Sequence, residues 1–110
     1  AIILSSIVQT ITIQNNFIHD ILCTLNDGAG IYVTAEGISR KIDGNIILNV
    51  HGNLAGTNHS GRPIARGIYL DENSTNVIVS NNTVAHCNEA GYMIHRGKNN
   101  KLENNSAYDN

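Results

Sequence analysis

At 110 residues, 41% hydrophobic and 15% charged, the chain has room for one domain at most. A formal net charge of −2 and the lack of a basic tract speak against a nucleic-acid partner, and no apolar run approaches the roughly 18 residues needed to span a bilayer. With no Trp and a single Phe, the interior must be built from Ile, Val and Leu, which favours strands over helices.

The chain opens on the strand-like Ala1-Ile2-Ile3-Leu4, which has neither a basic leader nor an initiator Met and so does not read as a signal peptide. Ile11-Thr12-Ile13 alternates as a strand does and runs into Gln14-Asn15-Asn16-Phe17-Ile18. That Asn phrase returns as His51-Gly52-Asn53-Leu54-Ala55, Ser80-Asn81-Asn82-Thr83-Val84 and Glu103-Asn104-Asn105-Ser106-Ala107. A second phrase follows three of the four, as Gly30-Ile31-Tyr32-Val33, Gly67-Ile68-Tyr69-Leu70 and Gly91-Tyr92-Met93-Ile94. Self-similarity of this kind is the signature of a solenoid. Anchors at Asn16, Asn53, Asn82 and Asn105 predict an all-β parallel β-helix of about four coils over residues 1–110, in which each strand pairs with its counterpart one coil on. Asn suits the repeated corners, because it tolerates the left-handed backbone region and stacks its amides into ladders. The apolar stretch from Ile42 to Val50 is broken by Gly44 and Asn45. Both chain ends fall inside the repeat and no polar end cap is visible, so a piece of a longer protein is expected.

Cys23 and Cys87 fall two coils apart, roughly 9.6 Å, which is too far for a disulfide, so two free and mostly buried thiols are expected. Sequons at Asn58, Asn73, Asn81 and Asn104 are what chance produces in so Asn-rich a chain. His19, His51, His59, His86 and His95 show no zinc spacing, and no metal or cofactor is predicted.

Alternation assigns the faces. Ile31, Ile68 and Tyr92 form one inward column and Val33, Leu70 and Ile94 another. Tyr32, Tyr69 and Met93 then point outward, followed by Thr34, Asp71 and His95. Asp71 and His95 become neighbours on adjacent coils beside two tyrosines. Asp27, in the loop before Gly30, and Asp71, at the end of the next aligned strand, offer a carboxylate pair of the kind glycoside hydrolysis needs, with Glu72 beside Asp71 as a substrate-binding candidate. Asp27-Gly28 and Asp71-Glu72-Asn73 equally suit plain turns. His95 can orient a carboxylate or bond a sugar hydroxyl, Tyr32 and Tyr69 can stack on sugar rings, and His19 can line the edge that carries Asp27. Arg66, just before Gly67, raises a lyase alternative, in which a cation neutralises a uronate carboxylate while a base removes the α-proton.

The ordered run Asn26-Asp27-Gly28-Ala29-Gly30-Ile31-Tyr32, then Gly67-Ile68-Tyr69-Leu70-Asp71-Glu72, resembles the bacterial right-handed parallel β-helix glycoside hydrolases, a group with α-L-fucosidase and xylanase members within the wider pectate-lyase-like β-helix superfamily. The resemblance implies a right-handed coil, a secreted protein (extracellular or periplasmic), a polysaccharide or oligosaccharide substrate with no nucleic-acid or membrane partner, and Asp27 and Asp71 as the catalytic acids. Polysaccharide lysis, or glycan binding without turnover as in adhesins and tailspikes, remains open on the same scaffold.

Overall fold

The computed structural model describes residues 1–7, 9–56 and 61–110; the sequon at Asn58 and His59 lie outside them. Among the described residues, twelve short strands form three four-stranded sheets, and every pairing is parallel. The first sheet is built of β1 (Ile2–Leu4), β4 (Gly28–Val33), β7 (Ala65–Leu70) and β10 (Ala90–Ile94). The second holds β2 (Thr10–Gln14), β5 (Ser39–Asp43), β8 (Val77–Ser80) and β11 (Lys101–Glu103). The third holds β3 (Phe17–Ile21), β6 (Ile46–Val50), β9 (Thr83–Cys87) and β12 (Ser106–Tyr108). Each coil contributes one strand to each wall, so the chain makes four coils of a three-sided β-helix. Its interior is a set of stacked aliphatic columns, among them Ile31 on Ile68, Val33 on Leu70, Ile42 on Val79 and Ile47 on Val84, all fully buried.

The corner between the second and third sheets carries the Asn ladder, and here one anchor needs correcting. The rungs are Asn16, Asn45, Asn82 and Asn105, not Asn53. Asn45 Oδ1 accepts from Asn16 N at 3.0 Å, Asn82 Oδ1 from Asn45 N at 2.9 Å, and Asn105 Oδ1 from Asn82 N at 2.9 Å. The side-chain amides repeat the pattern, from Asn16 to Asn45 at 2.8 Å, Asn45 to Asn82 at 2.9 Å and Asn82 to Asn105 at 3.0 Å. A residue in the left-handed region precedes every rung: Asn15, Gly44, Asn81 and Asn104. Gly44-Asn45 therefore marks the corner itself, not the failure of a strand. Gly52-Asn53 repeats the same dipeptide, but Gly52 begins the loop after β6, where Asn53 Nδ2 donates to Cys23 O at 2.8 Å.

The face assignment holds. Ile31, Ile68 and Tyr92 are in register, as are Val33, Leu70 and Ile94, with Tyr32, Tyr69 and Met93 outward between them. Ile94 differs only in burial: it is 46% exposed, on the edge strand β10 of its sheet. The cysteines are both free, but only Cys87 is buried. Burial pushes its thiol up to about 11, whereas Cys23 is exposed in the loop after β3, contrary to expectation.

Candidate functional site

The outer wall of the first sheet collects the chain's polar chemistry, for two local reasons. Past the strand ends the parallel pairing continues for one more residue: Thr34 N donates to Leu4 O, Asp71 N to Val33 O at 2.7 Å, and His95 N to Leu70 O at 2.8 Å. Thr34, Asp71 and His95 therefore stack as a second outward row, after Tyr32, Tyr69 and Met93. Toward the strand starts, simple alternation fails. Counting back from outward Tyr69 would turn Gly67 out and Arg66 in. Yet a Cβ built on Gly67 would lie 2.1 Å from Val84 Cγ1 in the core, and one on Gly30 would lie 2.7 Å from Ile47 Cγ2. The glycine and the residue after it both face inward, and this irregularity returns Arg66 to the outer wall. Its guanidinium lies 4.4 Å over the Tyr69 ring.

Asp71 is the centre of the arrangement. Tyr32 OH donates to its Oδ2, Tyr69 OH to its Oδ1 at 2.8 Å, and His95 Nδ1 to the same Oδ1 at 2.9 Å. The two tyrosine rings meet edge to face, 5.2 Å apart. Burial alone would raise the carboxyl. The bonds from Tyr32, His95 and Tyr69 and the Glu72 backbone N–H outweigh it and bring Asp71 down to about 2. In return, burial and the adjacent carboxylate push the Tyr69 phenol up to about 12, and lift Tyr32 as well. At neutral pH Asp71 is thus an anion facing neutral phenols. A carboxylate can only accept, so His95 Nδ1 carries the proton and, in the neutral ring, Nε2 keeps a lone pair.

A pH dependence of stability follows. Asp71 titrates lower in the folded chain, at about 2, than the ordinary 3.8 expected once unfolded, so it favours folding above the higher value. That contribution, about 2 kcal/mol from a shift of this size, should fade as pH falls from about 4 to about 2. Asp43, brought down to about 2 by Ser80, Asn81 and Lys41, adds a slope of the same sign. Urea titrations across that window should show the wild type losing more stability than Asp71→Asn, with the Asp43 slope remaining in the variant.

At the other end of the face Arg66, its side chain only 7% exposed, is shared between two acids. Nη1 bonds Asp27 Oδ1 at 2.7 Å, and Nε lies 2.5 Å from Glu89 Oε2, a charge contact that is poorly aligned as a hydrogen bond. Arg62 Nη2 reaches Glu89 Oε1 at 2.8 Å. Asp27 sits in the left-handed region at the turn into β4, half-exposed, and its N–H is fixed to Ile64 O at 2.9 Å.

Against known families, the description "right handed beta helix region" matches residues 2–110. The chain belongs to the right-handed β-helix family. That membership gives the coil its hand and sets it among carbohydrate-active and related β-helix proteins. No curated protein and no solved structure matches the chain.

On this β-helix, Asp27, Tyr32, Arg66, Tyr69, Asp71 and His95 form one continuous run of contacts. Asp27 and Asp71 share the wall without facing each other directly: Arg66 and Tyr69 lie between them. Glu72 stands at the margin, turned toward Arg96 at 2.7 Å. His19 is not brought to the site. It lies on the outer face of the third sheet, stacked on Phe17 at 4.9 Å and bonded to Asp20 at 2.8 Å. Arg66, the cation of the lyase alternative, is already occupied by two carboxylates. Glu89 escaped the sequence reading. Its signal was register: Ala90 pairs with Arg66, which sets the preceding acid beside Ala65, where Glu89 N donates to Ala65 O at 3.0 Å. Among the described residues, no three of His, Cys, Asp and Glu are grouped to hold a metal ion.

Proposed function

We propose that this wall is the active face of a glycoside hydrolase that cleaves a polysaccharide outside the cell or in the periplasm. The observation that carries the reading is the ionised Asp71 carboxylate, held by two phenols and an imidazole on an open wall. Asp71 fixes the tautomer of His95, whose half-exposed ring offers Nε2 as the base that takes a proton from the attacking water. Asp27 is the second carboxyl and, in its protonated form, donates its proton to the leaving oxygen; Glu89 holds Arg66 from the other side. Tyr32 beside it presents part of its ring to the sugar.

Arg66 and Tyr69 lie between Asp27 and Asp71, and that separation supports inversion, in which water attacks from the far side; retention needs carboxyls only about 5–5.5 Å apart. Proton NMR of the first-formed sugar, using the full-length protein, should show the anomer opposite to the substrate's. Retained configuration would overturn the assignment of Asp27 and the Asp71–His95 pair as opposed groups. An unsaturated product absorbing in the ultraviolet would mean elimination instead of hydrolysis.

A further inference from the structure

Glu89 has no part in the chemistry above, yet it is a mostly buried carboxylate, 15% exposed, placed against the most buried cation on the active wall. Arg66 has one guanidinium edge on Asp27, Nε against Glu89, and its flat face over Tyr69. Without Glu89, the guanidinium would have Asp27 as its one remaining carboxylate and would retain a fork suited to a planar anion. With Glu89 present, Arg62 and Arg66 are both engaged by its carboxylate, Asp71 remains an anion, and the flanking Glu72–Arg96 pair adds no net charge. A carboxylated sugar would approach an ionised Asp71 with, among the described residues of the wall, no arginine free of a carboxylate to receive it.

We propose that the site selects uncharged glycans over uronic acid polymers, and that Glu89 is the residue that sets this selectivity by occupying Arg66. The inference rests on the hydrolase reading and names the substrate class of that same face. Repulsion between like charges a few ångströms apart at a protein surface is large enough to discriminate by about tenfold or more, and it weakens with salt.

The test is equilibrium binding by the full-length protein to a neutral oligosaccharide and to its uronate counterpart of equal length and linkage, at low and high ionic strength. The wild type should bind the neutral sugar at least about tenfold more tightly, with the gap narrowing as salt rises. Glu89→Gln, which keeps the shape and removes the charge, should shift the ratio at least about tenfold toward the uronate. Equal binding of both sugars by the wild type, or an unchanged ratio in a folded Glu89→Gln, overturns the selectivity and leaves the hydrolase reading standing. Should the variant not fold, the wild-type ratio and its salt dependence decide alone. Failure to bind either sugar overturns both the selectivity and the reading beneath it.

Discussion

Asp71→Asn in the full-length protein should lower turnover by about 10³- to 10⁴-fold with little change in KM, the scale expected when an orienting carboxylate behind a catalytic histidine is lost. The amide keeps the size of the side chain but changes what it can do. Three donors converge on two acceptor oxygens in the native site: Tyr32 on Oδ2, Tyr69 and His95 on Oδ1. Asn presents one acceptor and one NH₂ group: turned toward Tyr32, the NH₂ forces that phenol to accept instead of donate, and turned toward Tyr69 and His95 it sets an N–H against the His95 Nδ1–H. It also removes the negative charge that holds the proton on Nδ1 and leaves Nε2 free. His95→Gln separates the possible roles. If Asp71 acts through the imidazole, His95→Gln should cost about as much as Asp71→Asn, and the double variant should be little worse than either. A crippling Asp71→Asn beside a nearly normal His95→Gln would make the carboxylate itself the reacting group. Near-normal turnover in a folded Asp71→Asn would end the proposal. Melting curves at neutral pH establish that each variant is folded.

The outward column Tyr32–Tyr69–Met93 and the row that follows it, with Asp71 beside His95, were legible in the sequence because a parallel solenoid converts repeat spacing into spatial adjacency. Once two glycine-led phrases are aligned, the period-2 alternation of strands decides which side chains share a wall. Two features were not legible, for different physical reasons. The rung at Asn45 was hidden because Gly-Asn occurs twice in one coil. Only the pairing of Asn45 with Asn82 distinguishes a corner from the start of a loop. Glu89 was hidden because it lies just before the third glycine-led phrase and only strand register sets it beside Arg66; Asp27 and Arg66 were named, but not the ion pair between them. Strict alternation through Gly67 would turn Arg66 inward, whereas the break there leaves it on the wall among Asp27, Glu89 and Tyr69. His19 failed as a site residue for the converse reason. It precedes Asp27 closely in sequence, but β3 and β4 belong to different sheets, so short chain separation did not mean a shared surface.

The same break makes Gly67 a sensitive backbone position on the outer wall of the first sheet. Gly67→Ala should destabilise the fold by about 3 kcal/mol or more, at or beyond the upper end of ordinary overpacking. The added methyl would lie 2.1 Å from Val84 Cγ1 and 2.6 Å from Gly91 O. Neither neighbour can move cheaply. Val84 is fully buried in β9, paired on one side with Ile47 and on the other with Ala107, and its branched side chain has few alternative rotamers. Gly91 O is main chain in the adjacent strand β10. The quickest relief is for β7 to rotate its Gly67–Ile68 peptide outward, which carries Arg66 off Tyr69 and loosens the contacts from Asp27 to Asp71. Urea denaturation should therefore show the loss of stability, and whatever folded protein remains should show reduced turnover. Val84→Ala on the same background removes the nearer of the two clashes and should recover part of the stability, although Gly91 O still crowds the methyl. A Gly67→Ala protein as stable as the wild type would mean that Gly67 does not face the core, and the argument that brings Arg66 to the outer wall would fail with it.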